Sequence, residues 1–323
     1  MSEPAARNAN RSSVNPFARH FNPAAWADQG RRIIPMMRAY GGILPRNVRT
    51  ALPQSLGRIG TLEVRLAANA AEVRRAQKLR WRVFYEEMQA VADGASRLAR
   101  RDVDAFDAIC DHLVVIDHAV VERPALGAPR PAIVGTYRLL RQEVADRNGG
   151  FYTSSEFDLS GLIARHRGKR FLELGRSCVL PAYRNKRTVE LLWHGIWSYV
   201  LCHRIDVMFG CASLEGTDPR ALSLELSFLH HNARAPAEWA APALPWRHVG
   251  MDRLSGDAID MKKALHALPP LIKGYLRLGA YVGDGAVVDR QFNTTDVLIV
   301  LPVSAINPRY IGHFSAGADR HAA

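Results

Sequence analysis

The chain has 323 residues, 48% of them hydrophobic, and a formal net charge of +12 at pH 7. That length suits one large domain or two small ones, with a substantial core. The charge favours acidic partners, such as an anionic membrane face or an acidic protein. Nucleic acid is disfavoured, because no zinc-finger spacing, RNP-like aromatic run or basic recognition helix is present. Cys110, Cys178, Cys202 and Cys211 form no C-x-x-C pair. Most lie in or beside apolar segments, which fits free thiols in a reducing compartment and no structural metal. No apolar run approaches the ~18 residues of a membrane span, and no N-terminal apolar region precedes a cleavage site. The expected location is cytoplasmic, at most peripheral at the inner membrane.

Residues 1–57 read as a basic arm, with Arg7, Arg11, Arg19, Arg31, Arg32, Arg38, Arg46 and Arg49 against only Glu3 and Asp28. Trp26, Ile33, Met37, Tyr40 and Leu44 can share one helical face beside arginines, which suits an anionic membrane. Pro35 and Gly41-Gly42 interrupt that helix, so a disordered or packing arm is the other open reading. Residues 58–314 are expected to form the folded domain, with 315–323 as a tail.

Leu62, Val64 and Leu66 alternate as a strand. Asn69, with Glu72 three residues on, predicts a capping box that opens a helix to about Val91; its apolar face carries Val73, Ala76, Leu79 and Val83. A short helix is expected from Val103 to Ile109. Strands are expected over Leu113–Ile116 and Ile133–Leu140. Asp218-Pro219 predicts a helix start and Pro236–Pro245 a loop. Pro269-Pro270 introduces another helix through Leu278, and Asp296–Val303 is a late strand. No internal repeat is found. The order is that of an α/β protein with a central mixed sheet.

Phe171–Ser213 carries the most information. Phe171–Leu180 is an apolar run holding Glu173 and Arg176, and Pro181–Thr188 is a polar turn with Arg184, Lys186 and Arg187. Val189–His203 has helical spacing, and Val207–Ser213 is a second strand. A parallel strand–helix–strand unit sets the helix N-terminus beside the strand ends, where its unpaired N–H groups favour an anion. The cations stand at the same spot, so the turn reads as a seat for a phosphate-bearing donor.

In that order, Leu79–Phe84, Asp104–Asp107, Val134–Leu140 and Phe171–Leu180 resemble the GNAT acyltransferase superfamily. More narrowly, these segments, with Leu268–Asp284 and Phe292–Val303, are similar to the ornithine acyl-carrier-protein N-acyltransferases; the similarity spans roughly Gly60–Phe314. The resemblance implies transfer of a 3-hydroxy fatty acyl chain from acyl carrier protein to the α-amine of ornithine. The product is lyso-ornithine lipid, made in the first step of ornithine lipid biosynthesis. The phosphopantetheine thioester is a co-substrate, and no bound cofactor or metal is expected. The motif of the related acyl-homoserine-lactone synthases falls on Arg80, Phe84, Asp104, Asp107, Arg138, Glu173 and Arg176. Ala90 stands where those synthases have a Trp, which speaks against a lactone synthase. Arg184-Asn185-Lys186-Arg187-Thr188 lacks the glycines of acetyl-CoA enzymes. Carrier-bound phosphopantetheine has no ADP, so a looser basic seat is adequate.

Glu173 is the expected proton acceptor, because an acid on an apolar strand has its pKa raised by burial. A salt bridge to Arg176 is the plainer reading. A bulge near Gly175 would bring the two together and free a backbone N–H for the oxyanion. Asp104, Asp107 and Asp111 are expected on one helical face, where they can hold the δ-ammonium of ornithine or pair with Arg97, Arg100 and Arg101. Arg80 and Arg138 are assigned to the amino-acid carboxylate, and Phe84 with Trp81 to an acyl tunnel or to plain core. Lys169, Arg170, Arg184, Lys186 and Arg187 are the expected carrier-docking face. His112 with Asp117 has an acyltransferase-like spacing but straddles a strand, and Cys178 reads as a packed thiol. Acylation of another amino acid, such as glycine, lysine or homoserine, and a non-catalytic carrier- or membrane-binding module remain open beside this reading.

Overall fold

A computed structural model describes residues 52–124 and 127–306. The expected membrane-facing arm and the C-terminal tail therefore lie outside the described residues, apart from the last few positions before residue 58. There Leu56 is already buried against the core, and β1 (Gly57–Ile59) begins.

Nine strands form one sheet. After β1 come β2 (Leu62–Leu66), β3 (Asp111–Glu122), β4 (Arg130–Arg141), β5 (Phe171–Val179), β6 (Val207–Glu215), β7 (His248–Val249), β8 (Tyr281–Asp289) and β9 (Thr294–Pro302). Their order across the sheet is β1-β2-β3-β4-β5-β6-β9-β8-β7. Every pairing is antiparallel except β5 with β6. This is the mixed α/β sheet expected from sequence. Strands β1, β7 and β8 were not read, and in β8 Gly283 and Gly285 interrupt the apolar alternation that marks a strand.

The parallel pair is short. Phe171, Leu172 and Glu173 pair with Val207, Met208 and Phe209, and there the ladder ends. Just beyond, a Cβ on Gly210 would sit 2.2 Å from the Leu174 carbonyl oxygen, so only glycine lets β6 come this close before the strands part. On the other edge of β5, Gly175 pairs with Arg138 and Cys178 with Thr136, leaving two residues of β5 opposite Tyr137. Arg176 has φ 51°, in the left-handed region. The expected bulge therefore exists, at Arg176-Ser177.

Helices α1 (Ala70–Trp81) and α2 (Gly94–Ala99) precede β3. Helices α3 (Gln142–Ala145) and α4 (Ser160–Arg165) lie between β4 and β5, and α5 (Lys186–His203) joins β5 to β6. Helices α6 (Ser223–Ala233), α7 (Met261–Ala267) and α8 (Pro270–Leu278) follow β6. Asn69 caps α1 through the Ala71 and Glu72 N–H groups, but Glu72 turns to Arg65 and the Ala68 N–H, so the reciprocal half of the capping box is not made. The helix passes into one π-helical turn at Arg82–Glu87 and stops short of Val91. After Asp218 the chain makes a turn, and α6 starts only at Ser223.

One sheet face carries Leu113, Val115, Tyr137, Leu139, Leu172 and Leu174 against Leu191, Ile196 and Trp197 of α5. The opposite face carries two smaller apolar clusters. One packs α1 on Val114, Ile116 and Ile133; the other joins Leu140, Phe171, Phe209, Leu298 and Trp239. The site lies on this second face.

Candidate active site

Three arginines from three elements meet three aspartates from one loop. Arg80 on α1 is fully buried; its guanidinium pairs with Asp102 at 2.7 Å and donates to both oxygens of Asp107 at 2.8 Å. Arg138 on β4 donates to Asp104 at 2.6 Å and to Asp107 at 3.4 Å. Arg176, turned by the bulge, reaches Asp104 at 3.1 Å and Asp102 at 3.3 Å. Such a neutral three-to-three network is the arrangement buried charges require. Burial would raise the Asp107 pKa, but Arg80 and then Arg138 hold it well below the usual carboxylate range.

Aromatic rings close the network. Arg176 stacks over Tyr152 and Phe292, each at 4.7 Å, and Arg138 lies 5.6 Å from the Phe106 ring. Phe84 meets Phe292 edge to face at 5.7 Å, and Tyr85 stacks on Trp81 at 4.6 Å. The π-helical turn gives Phe84 and Tyr85 these directions, and the β8–β9 turn brings in Phe292. Trp81 is buried beneath Tyr85, so of the expected tunnel pair Phe84 alone faces the site region.

Several expected residues sit differently. Asp104, Asp107 and Asp111 do not share a helical face. Asp104 caps a single 3-10 turn (Ala105–Ala108) in a reciprocal box with Asp107, whereas Asp111 opens β3 and accepts from the Tyr199 hydroxyl. The cations that neutralise Asp104 and Asp107 are Arg80, Arg138 and Arg176. Arg100 instead pairs with Glu86, and Arg101 donates to Gln77. With every arm of its guanidinium on Asp102 or Asp107, fully enclosed Arg80 has no face for a substrate carboxylate. Arg138 is nearly as enclosed, with a side chain 4% exposed, while Arg176 is 12% exposed and is the most open of the three.

Glu173 is buried at the last rung of the parallel ladder. It makes no bond to Arg176; its two oxygens accept the Thr153 N–H at 2.6 Å and the Tyr152 N–H at 3.1 Å. Burial pushes its pKa up, against those bonds. Glu173 thereby pins the 3-10 turn Tyr152–Ser155 whose ring covers Arg176.

The basic turn at the start of α5 is largely committed. Asn185 caps the helix through the Thr188 N–H, and Thr188 is buried. Arg184 pairs with Glu87 at 2.5 Å, tying this turn to the end of the π-helical turn, and Lys186 lies 3.5 Å from Glu190. Arg187 is exposed. Lys169 and Arg170 do not belong to this face. Arg170 bonds the His203 carbonyl at the far end of α5, and an 18-residue helix separates the two groups by roughly 27 Å.

Both decoys resolve as structure. The His112 ring bonds the Asp107 carbonyl, while Asp117 accepts from the Tyr183 hydroxyl, so the two are not a pair. Burial pushes the Cys178 thiol well up, away from nucleophilic use.

Sequence reasoning passed over Asp102, Tyr152 and Phe292, and also three carboxylates on the far side of Arg176: Glu156, Asp289 and Asp296. One signal was available for Asp296, an acid at the mouth of an apolar strand, the same pattern that singled out Glu173.

A family model described as an acetyltransferase (GNAT) domain matches residues 79–194, and the mixed sheet with its one short parallel pair fits a GNAT acyltransferase. Within that class, the chain belongs to the L-ornithine N(alpha)-acyltransferase family. It is 58% identical to the protein of that name from Agrobacterium fabrum (strain C58 / ATCC 33970), over 82% of this chain and 88% of that protein. It is 59% identical to the one from Rhizobium meliloti (strain 1021), with the same coverage. Among solved structures, a CoA-dependent acyl-homoserine lactone synthase, BjaI, is 14% identical over 77% of this chain and 84% of its own, with a TM-score of 0.41. Among the described residues no helix is long and apolar enough to cross a membrane.

Proposed function

We propose that this acyltransferase moves a fatty acyl chain, 3-hydroxylated in the family reading, from acyl carrier protein to the α-amine of L-ornithine. The product is an N-acyl-ornithine, the lyso form of ornithine lipid. The observation that carries the reading is the parting of β5 and β6 directly beside Arg176. Family membership supplies the acceptor.

In this reading the phosphopantetheine thioester lies between the parted strands, with its phosphate toward the start of α5. The amine nitrogen attacks the thioester carbon, the C–S bond breaks, and the carrier thiol leaves with a proton. Backbone N–H groups freed by the Arg176-Ser177 bulge are the candidate oxyanion donors. Arg176, the most open of the three arginines, takes the amino-acid carboxylate; Arg80 and Arg138 hold the aspartates that orient it. Glu173 remains the candidate for the proton path. Each of its oxygens keeps a lone pair beyond the N–H it accepts, enough to relay a proton through water. It also positions the Tyr152–Ser155 turn. The carrier docks on the Arg184–Arg187 end of α5.

Mass spectrometry of lipids from a heterologous bacterial host making only this protein tests the reading. A new N-acyl-ornithine is expected. N-acyl-glycine or N-acyl-lysine in its place would overturn the acceptor, and no new species would favour a binding role.

A further inference from the structure

Beyond Arg176, three carboxylates from separate parts of the chain converge on one point. Glu156 ends the Tyr152–Ser155 turn, Asp289 closes β8, and Asp296 lies in β9 opposite Ser213 of β6. One oxygen from each lies within 4.8 Å of the other two. Acidic clusters are common on surfaces, but this one is enclosed: Glu156 is 1% exposed and Asp296 6%. Glu156 Oε2 and Asp296 Oδ1 are buried and without a hydrogen-bond partner.

Neighbouring cations offset the cluster only in part: Arg176 acts on Asp296 and Arg247 on Glu156, yet the pKa values of both acids stay raised. Arg247 stands 3.9 Å from the other oxygen of Glu156, outside hydrogen-bond range. Asp289 spends Oδ1 on the Gln291 and Phe292 N–H groups of the β8–β9 turn. The Cys211 thiol faces Glu156, and the Ser213 and Thr294 hydroxyls face Asp296. Burial first, and then mutual repulsion, pushes the pKa of both Glu156 and Asp296 up. Two buried carboxylates side by side, each with an oxygen that no N–H or side chain is shown to bond, favour a positively charged ligand between them.

We infer that Glu156, Asp289 and Asp296 form the subsite for the side-chain ammonium of a dibasic amino-acid acceptor. The inference rests on the ornithine reading above and adds the determinant of side-chain choice. A primary ammonium has three N–H donors, one for each carboxylate. With corners no more than 4.8 Å apart, a nitrogen at the centre lies within about 2.8 Å of each oxygen, the distance of a charge-assisted hydrogen bond. The subsite is also placed for the purpose. Phe292, which follows Asp289 in the same turn, stacks on Arg176, so a carboxylate at Arg176 and an ammonium at the acids would lie to either side of one turn. The acceptor's α-amine would then lie near the parted strands.

The test compares ornithine with 2-aminopentanoate, which has the same carbon chain and no δ-amine, as acceptors for the full-length enzyme. Wild type should prefer ornithine strongly in kcat/KM. In Asp296→Asn and Glu156→Gln that preference should fall by about 10- to 100-fold, expressed mainly as a higher KM for ornithine. Both variants remove like-charge repulsion, so both should fold with a Tm at or above wild type. In the same assay, ornithine should raise the Tm of wild type and not that of Asp296→Asn. If wild type acylates ornithine and the variants keep its full preference, the subsite is wrong while the reaction stands. If wild type does not acylate ornithine at all, the reaction reading itself has failed. Activity lost to EDTA and restored by Mg²⁺ would make this a metal site and overturn the ammonium assignment.

Discussion

On the α5 side of the sheet, Leu113, Val115, Leu139, Leu172 and Leu174 meet Leu191, Ile196 and Trp197 in an unbroken apolar layer. On the other side, the α1 cluster and the Phe171–Phe209 cluster are separated by a seam of buried charge: Arg80, Arg138 and Arg176 with Asp102, Asp104 and Asp107, then Glu156 and Asp296. The same strands supply both faces, alternate residues pointing each way. What differs is how each face tolerates change. An apolar layer depends on volume, whereas a charged seam depends on donor geometry and on every partner being present.

The largest expected effect breaks the seam. Arg80→Ala strands Asp102 and Asp107 in a buried site, and should cost about 3–5 kcal/mol of unfolding free energy in urea titration. Leu191→Ala, on the apolar face, should cost a similar ~2–5 kcal/mol, so truncation alone does not separate the faces. Conservative swaps do. Leu191→Met keeps the volume and should cost less than about 1.5 kcal/mol. Arg80→Lys keeps the charge but cannot replace a planar fork that serves two carboxylates, and it should cost clearly more. Equal costs for the two conservative swaps would remove the distinction.

This contrast also explains what could be read from sequence. Apolar spacing in α5, alternation in β2 and the apolar runs of β3 and β4 are local signals, and the core layer follows from them. The strand–turn–helix–strand unit, the bulge beside Gly175 and the candidate arginines were legible for the same reason. Pairing in the seam was not, because each bond there joins distant segments: Arg176 with Asp104, Arg138 with Asp107, Arg176 with Phe292. The Asp104–Asp111 spacing fits a helix, yet Asp104 becomes a cap because an aspartate side chain competes for nearby backbone N–H groups. The acids at 156, 289 and 296 meet only because β8 and β9 fold back beside β6, which no spacing announces.

A smaller effect distinguishes the two ends of the seam by pH. In the Arg–Asp network, the Asp107 pKa is lowered by folding, so its contribution is present above the ordinary carboxylate value. It is lost only as acid drives the pH below about 4. In the acid cluster, Glu156 and Asp296 have raised pKa values. The folded protein therefore binds protons there that the unfolded chain releases, and stability should rise as the pH falls from neutral toward the ordinary carboxylate range. Burial lowers the pKa values of His112, His203 and His230, which works the other way over the same range, so the cluster's share is read by difference. The stability of ligand-free wild type relative to Asp296→Asn should rise as the pH falls from 8 to 5, while the strong-acid limb from Asp107 is the same in both. A difference that stays flat from pH 8 to 5 would contradict the raised values in the acid cluster.

The smallest expected effect lies outside both faces, at the start of α5. Arg184 and Lys186 already have carboxylate partners, so reversing either charge also breaks an intramolecular pair. Arg187 is the cleaner probe, being exposed and one residue inside the helix. If the acidic carrier docks here, Arg187→Glu should raise the KM for acyl carrier protein about three- to tenfold and leave kcat nearly unchanged, since exposed charges act mainly on association. The same variant should weaken the dependence of KM on salt, because screening then has less attraction to remove. Ornithine KM should not move, since the proposed acceptor residues lie on β5, β8, β9 and the Tyr152 turn. Carrier kinetics that ignore both Arg187 and ionic strength would locate the docking face elsewhere, and would leave the helix start as a seat for the phosphodiester alone.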